Sequence, residues 1–267
     1  MQFGDILYDK RDGVATITIN RPQVLNAFRA ETVEEMLTAM RDAEDDRDIG
    51  VIVLAGAGDR AFCAGGDNSA RNEGGKEGAG YGGRGLVGLP IEELHNAIRD
   101  SRKPVIAKVQ GYAIGGGNVL ATVCDLTIAS EKAVFGQVGP RVGSVDPGWG
   151  TAYLARLVGD KRAREIWFLC RRYTAAQAYE MGLVNKVVPA EQLDAEVAQW
   201  CGEILALSPT AIAIAKRSFN ADSENIKGIG ALGFEALAIY YDSEEAKEGT
   251  RAFLEKRPPN FRRKSRK

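Results

Sequence analysis

Two glycine-rich segments of this chain each follow an apolar run and could stabilise negative charge. The first, AFCAGGD, spans residues 61–67 and follows apolar residues 51–54; the second contains Gly115, Gly116 and Gly117 and follows residues 105–109. N–H groups at a helix start have no internal partner, and glycine lets a ligand approach the backbone. Two N–H groups aimed at one point would form an oxyanion hole, which suits a thioester carbonyl turning into an enolate. Taken singly, either segment could equally be a tight turn that binds nothing.

The spacing of apolar residues predicts the elements that hold these two segments in place. Residues 6–10 and 14–20 flank Arg11-Asp12-Gly13 and predict a hairpin. Asn118 is a favoured N-cap residue, so we expect the helix after the second glycine segment to open there. Further strands are expected at residues 51–54, 105–109, 126–129, 133–135 and 183–188, and helices at residues 30–43, 91–99, 152–157, 162–170 and 175–181.

The chain beyond residue 191 has a purely helical pattern, at residues 193–207, 210–220, 229–241 and 244–255. Strands that alternate with helices predict an α/β core with parallel pairing over residues 1–190, completed by an α-helical segment over residues 191–267. Residues 69–88 hold many glycines and one aromatic residue, Tyr81. Such a stretch is either disordered or a lid, and its place between the two glycine segments favours a lid.

Composition narrows the class of protein. The chain has 267 residues, 45% of them hydrophobic, and a formal net charge of −1. It can bury a sizeable core, and its charge gives no case for binding nucleic acid or a membrane surface. The basic residues at 262–267 are expected to be a solvated tail.

The number and spacing of cysteines and histidines narrow the class of protein further. The four cysteines are far apart without a CxxC pair, and no signal peptide or bilayer-spanning run is visible, so we expect a cytoplasmic protein. His95 is the only histidine, which excludes most histidine-based metal sites. We therefore expect that the protein binds no metal and that His95 lies on a helix face.

Three motifs resemble the crotonase superfamily: AFCAGGD at residues 61–67, GYAIGGGNVLATVCDLTIAS at 111–130 and FGQVGPRVGSVDPGWGT at 135–151. The match covers nearly the whole chain, including NRPQVLNAF at residues 20–28. The resemblance implies repeated ββα turns that form a spiral of two nearly perpendicular sheets, with a C-terminal helical part that builds trimers or dimers of trimers. It also implies an acyl-CoA substrate whose thioester enolate is held by the N–H groups of Ala64 and Gly116, without any other cofactor.

The family's hydratases carry two glutamates that this chain lacks. One would stand where the chain has Val119, and the other where it has Gly139. The acidic group available instead is Asp146, with Ser144 two residues earlier. Asp146 is therefore the candidate base and Ser144 the residue that orients the water. Asp146 could alternatively cap the helix expected near Pro147, and Ser144 could be a turn residue.

The segments QVGPRVGSVDPGWG at residues 137–150 and AREIWFLCRRY at 163–173 resemble one branch of this superfamily. That branch holds the 1,4-dihydroxy-2-naphthoyl-CoA synthases, which close a ring, and the 2-ketocyclohexanecarboxyl-CoA hydrolases, which open one. Within it, Tyr241 matches an active-site tyrosine that can come from a neighbouring subunit, although Tyr241 could also be a core residue. Residues 80–104 and 208–220 resemble the hydrolases, and Leu25 stands where the synthases tend to carry a basic residue.

The resemblance therefore implies ring-opening hydrolysis of a cyclic β-keto acyl-CoA to pimeloyl-CoA, as in the degradation of aromatic and alicyclic acids. The synthase is the main alternative, and an external anion such as bicarbonate near Gly139 would favour it. A hydratase or isomerase that uses Asp146, or a non-catalytic CoA- or RNA-binding member, are further alternatives. Trp149 could be a packing residue, and Asp67 could order its own turn. The positions expected to contact substrate or CoA are Val24, Leu25, Ala27, Gly65, Gly66, Asp67, Asn68, Tyr81, Tyr112, Ile114, Gly115, Gly139, Trp149, Phe253 and Lys256.

Overall fold

The larger of two β-sheets begins with the predicted hairpin. The computed structural model describes residues 2–74 and 80–262. The hairpin turns at Asp12 and Gly13, both with positive φ, and its two strands are antiparallel while every other pair in this sheet is parallel. The sheet has the order β1-β2-β3-β5-β7-β10, formed by Ile6–Arg11, Val14–Ile19, Val51–Gly56, Val105–Val109, Leu126–Ser130 and Lys186–Val188.

A second sheet of four short strands carries the glycine segments. Its order is β4-β6-β8-β9, formed by Ala61–Cys63, Tyr112–Ile114, Val134–Gly136 and Arg172–Thr174. Strand β4 lies inside the first glycine segment, which was predicted to be a turn, and β6 lies just before the second, where no strand was predicted. Three residues are too few to show an alternating pattern, so only pairing with neighbours reveals them.

Helices cover both sheets and complete the chain. Before residue 150 they are α1 to α5, at Ala30–Asp45, Asn68–Gly74, Ile91–Asp100, Gly116–Val123 and Gly139–Val142, with a 3-10 turn at Pro22–Val24. A π-helical turn follows at Trp149–Tyr153, then α6 to α8 at Leu154–Val158, Asp160–Leu169 and Ala175–Glu180. After a 3-10 turn at Ala190–Gln192 come α9 to α12, at Leu193–Leu205, Pro209–Ala221, Asn225–Tyr241 and Glu244–Leu254.

Helix α4 begins at Gly116, two residues before the expected N-cap Asn118. Gly115 adopts φ +58° and ends the extended strand, so the next residue already starts the helix. Asn118 is instead fully buried within the first turn. Glycine is required at position 117 inside the helix, because a Cβ there would collide with the carbonyl oxygen of Cys63. Close packing of helix on strand, rather than capping chemistry, sets this helix start.

The core lies between the larger sheet and its helices. The apolar residues spaced along α1, namely Val33, Met36, Leu37 and Met40, are all buried. Burial of each large side chain contributes about 1.5–3 kcal/mol. Helix α9 covers the opposite face of the sheet with Val197 and Cys201. Since α9 packs on the sheet itself, the proposed division after residue 190 stays a prediction.

The C-terminal helices are fastened to the core by a buried ion pair. Lys216 of α10 donates to Asp125 at 2.6 Å and to the carbonyl oxygens of Ile98 and Lys103 at 3.0 and 2.9 Å.

The predicted solvated tail falls mostly on residues 263–267, which lie outside the described residues. Within the described chain, no single helix has the length and apolar character to cross a membrane, although the bent pair over residues 190–221 passes that test jointly.

Candidate active site

The two glycine segments abut, and only glycine allows them to do so. Gly65 adopts φ +91°, and a Cβ there would lie 2.9 Å from the amide nitrogen of Gly116. A Cβ at Gly116 would in turn lie 2.6 Å from the ring of Phe28. The turn after β4 and the N-terminus of α4 are therefore in direct contact, as the sequence predicted.

Hydrogen-bond accounting decides which N–H groups are free on these turns. The N–H of Ala64 donates to the carbonyl of Leu25 at 3.0 Å, and that of Asp67 donates to the carbonyl of Phe28 at 2.8 Å. Within the described residues, the N–H of Gly66 has no acceptor. The prediction that Ala64 supplies the first donor is therefore wrong, because Ala64 is already bonded.

The second free donor lies where it was expected. Gly115 donates to the carbonyl of Gly136 at 2.9 Å, whereas Gly116 is the first residue of α4 and has no backbone acceptor in the part of the chain described. Gly66 and Gly116 both line one cavity. Together they can stabilise an oxyanion there.

Asp146 reaches the same cavity from the loop between α5 and the π-helical turn. Its Oδ1 accepts the N–H of Gly150 at 2.9 Å. Burial raises the pKa of Asp146 to about 7, the Gly150 hydrogen bond opposes this, and the charge of Glu92 adds to it. The side chain is only half-buried because its exposed part faces the cavity. A carboxyl with this pKa can exchange protons near neutral pH.

Ser144 and Tyr241 meet at another wall of the cavity. Ser144 Oγ and Tyr241 Oη lie 2.8 Å apart, and Tyr241 is the last residue of α11. The N–H of Ser144 donates to the carbonyl of Gly139 at 2.9 Å, which fixes the loop. The tyrosine thus reaches the site of its own chain in this structure.

Of the two positions without glutamate, Gly139 has no room for a side chain, and Val119 is enclosed by its neighbours. A Cβ at Gly139 would lie 2.5 Å from the carbonyl oxygen of Ser144 and 2.8 Å from the Trp167 ring. Val119 is fully buried, and a Cβ at Gly150 would lie 2.9 Å from its methyl group. An apolar wall therefore stands beside Asp146 in place of the hydratase carboxylates.

Tyr81 is the one aromatic residue of the predicted lid, and it packs directly against the first glycine turn. A Cβ at Gly66 would collide with its hydroxyl. Burial raises the pKa of Tyr81, and the neighbouring Tyr241 adds to that shift. The predicted lid is partly helical, since α2 spans its first turns, while residues 75–79 lie outside the described residues.

The structure brings eleven of the predicted site residues to this cavity of about 90 Å³: Ala64, Gly65, Gly66, Asn68, Tyr81, Gly115, Gly116, Gly139, Ser144, Asp146 and Tyr241. Phe253 and Lys256 border a separate pocket with Arg141 and Arg257. The remaining predicted contacts, which do not line the cavity, are Val24, Leu25, Ala27, Asp67, Tyr112, Ile114 and Trp149.

Two of those residues, Trp149 and Asp67, have structural partners instead. Trp149 is buried and its Nε1 donates to Asn96 Oδ1 at 3.3 Å, so it is a packing residue of the core. Asp67 binds Arg21 at 3.1 Å and accepts the N–H of Ser69. His95, which was expected on a helix face, lies on α3 but is fully buried, and burial lowers its pKa to about 3, so it is a neutral core residue.

Sequence reasoning missed several cavity residues. The most consequential are Arg71 on α2 and Gln137 before α5. Arg71 lies in the stretch predicted to be either disordered or a lid, and no local pattern marks a single arginine as buried. Gln137 lies in a quoted motif, and its Nε2 is buried with no partner among the described residues.

Comparison with known proteins shows the family of this chain. A family model described as enoyl-CoA hydratase/isomerase matches residues 9–264. An enoyl-CoA hydratase from Mycobacterium avium subsp. paratuberculosis K-10 is 31% identical with a TM-score of 0.85, covering 98% of this chain and 100% of that chain. A carnitinyl-CoA hydratase from Mycobacterium avium is 30% identical with a TM-score of 0.82, covering 96% and 97%. An enoyl-CoA hydratase from Bacillus anthracis is 29% identical with a TM-score of 0.74, covering 97% and 99%. The chain therefore belongs to the enoyl-CoA hydratase/isomerase family, the crotonase superfamily.

Proposed function

We propose that this chain is a 2-ketocyclohexanecarboxyl-CoA hydrolase, which opens a cyclic β-keto acyl-CoA to pimeloyl-CoA. The observation that carries the proposal is the grouping of Asp146, the Ser144–Tyr241 pair and two free N–H groups around one cavity. The lack of space at Gly139 argues against the two-glutamate chemistry of a hydratase. Asp146 is then the base that the site offers.

The first step is attack of water on the ring ketone. Asp146 takes one proton from the water, and the hydroxyl oxygen bonds to the ketone carbon. A base with a pKa of about 7 is matched to work near neutral pH. Ser144 orients the reactants through its hydrogen bond to Tyr241.

The second step breaks the bond between the two carbonyl-bearing carbons. The former ketone carbon leaves as a carboxyl group, and the electron pair passes into the thioester. Gly66 and Gly116 stabilise the resulting enolate oxygen; loss of one such donor typically costs about 2.7–4 kcal/mol of barrier. Tyr241 supplies the proton that the α-carbon takes up, and the proton held by Asp146 replaces it. Coenzyme A is part of the substrate, and none of these steps is an oxidation or reduction.

One observation favours the second candidate, a 1,4-dihydroxy-2-naphthoyl-CoA synthase. The buried amide Nε2 of Gln137 is an unused donor beside Gly139, within the described residues. A small anion such as bicarbonate could accept from it and act as the base. The ring-closing reaction would then use the same enolate site.

A thioester assay with purified protein tests the proposal. We expect 2-ketocyclohexanecarboxyl-CoA to gain one water and give pimeloyl-CoA, which mass spectrometry of the thioester product would detect. Ring closure of succinylbenzoyl-CoA instead would identify the synthase. If hydration of a simple enoyl-CoA is the main activity, the chain is a hydratase, which is the activity in the names of the similar structures. That result would contradict both the hydrolase and the synthase.

We also propose that the chain forms a homo-oligomer, a trimer or dimer of trimers. The support is the number of large apolar side chains left exposed on α10 and α11. Phe219, Leu232 and Ile239 are 77%, 72% and 76% exposed. Apolar surface of this kind is typical of a protein interface.

A further inference from the structure

Arg71 is a buried cation at the wall of the active-site cavity. Its residue exposure is 6%, and it lines the cavity beside Tyr241, with its guanidinium 5.0 Å from the centre of that ring. It donates to the carbonyl oxygens of Val142 at 2.5 Å and Gly143 at 3.4 Å, and to the hydroxyl of Thr250. All three acceptors are neutral.

The charge of Arg71 has no counter-ion among the side chains that the structure describes. Two other buried cations have counter-ions: Lys216 pairs with Asp125 at 2.6 Å, and Arg21 pairs with Asp67 at 3.1 Å. Arg99 is also buried without an ion pair among the described residues, but it does not line the cavity and stacks over the rings of Trp149 and Tyr153. A buried charge without a partner is costly, so a site that keeps one is suited to receive an anion. Arginine has five N–H donors, and three hydrogen bonds leave donors over for a ligand.

We propose that Arg71 binds a carboxylate at the far end of the acyl chain of an acyl-CoA. The identity of that carboxylate rests on the proposed function, in which ring opening converts the ketone carbon into a carboxylate. The planar guanidinium matches a carboxylate with two parallel hydrogen bonds, which an ammonium cannot offer. Arg71 therefore holds the end of the ring-opened product that lies opposite the thioester.

Direct binding measurements test this without any turnover. Pimeloyl-CoA and heptanoyl-CoA have the same chain length and differ only in the terminal carboxylate. We expect the wild-type protein to bind pimeloyl-CoA about ten- to a hundredfold more tightly by calorimetry, the usual range for hydrogen bonds to a charged group. In Arg71→Gln the preference should vanish while the affinity for heptanoyl-CoA stays within about twofold.

Two further variants separate binding from structure. Arg71→Lys should keep part of the preference, since it keeps the charge. Arg84→Gln removes an exposed arginine of the same stretch that pairs with Glu34 and Glu93, and should leave the preference unchanged.

Equal wild-type affinities for the two thioesters would overturn the proposal. An equal weakening of both ligands in Arg71→Gln would also overturn it, because it would show a purely structural role. If Arg71→Gln does not fold, the wild-type comparison and Arg71→Lys still decide. A clear pimeloyl-CoA preference without ring opening would leave this site standing and reject only the hydrolase.

Discussion

Ser144 and Tyr241 share a hydrogen bond of 2.8 Å although they lie 97 residues apart in the chain. The bond joins the loop after α5 to the end of α11, so it couples the α/β core to the C-terminal helices. In the proposed reaction it holds the phenol that protonates the enolate.

Replacing Tyr241 by phenylalanine should lower kcat by about a hundredfold or more, because general acid catalysis is typically worth that much. Thermal unfolding should change little, since the ring remains. Tyr240→Phe is the matched control on the same helix and should keep nearly full activity. A kcat for Tyr241→Phe within about threefold of wild type would rule out Tyr241 as the proton donor.

Asp146→Asn should lower kcat by about a hundredfold or more, since the amide cannot take the proton from water. In the wild type, kcat/KM should fall as the pH drops below about 7, because the base then carries a proton. Steady-state kinetics between pH 5 and 9 measure both effects. A loss of less than about tenfold would show that another group is the base.

Asp146→Asn should also stabilise the fold above neutral pH. The pKa rises from 3.8 to about 7 on folding, so between pH 3.8 and about 7 the folded state keeps its proton while the unfolded state has lost it; above about pH 7 the folded state must hold a buried charge. Stability therefore falls as the pH rises through that window, by about 2 kcal/mol for a half-buried group. We expect a higher Tm for the variant at pH 8 and an unchanged Tm at pH 4; a lower Tm at pH 8 would contradict the desolvation of Asp146.

Gly65→Ala should reduce kcat by about a hundredfold, because its φ of +91° disfavours alanine and the new Cβ would push against the Gly116 amide. Gly202→Ala is the control, since a Cβ there meets nothing within 4 Å. Activity and Tm should be compared for both. Full activity in Gly65→Ala would mean that the two N–H groups do not act on one oxygen.

Leu232→Glu should dissociate the proposed oligomer, because it places a charge on a side chain that is 72% exposed in the single chain. Light scattering coupled to gel filtration measures the mass. The control Glu235→Gln alters a polar residue of the same helix and should leave the mass unchanged. A monomeric wild-type protein would remove the oligomer proposal altogether.

Local pattern determined much of this protein. The strand at Val105–Val109 and the buried face of α1 follow from residue spacing, and the crotonase resemblance follows from motifs that lie within short segments. The absence of carboxylates at Val119 and Gly139 is likewise readable from the chain alone. These features depend on neighbours in sequence, so the sequence by itself is enough to predict them.

Only the tertiary structure decided which groups are available to a substrate. Ala64 loses its N–H to the carbonyl of Leu25, 39 residues earlier, and the free donor becomes Gly66. Trp149 is buried in the core, and Arg71 is buried beside the cavity. Whether a donor is free or a charge is unpaired depends on atoms brought near by folding, and no local pattern in the chain encodes that.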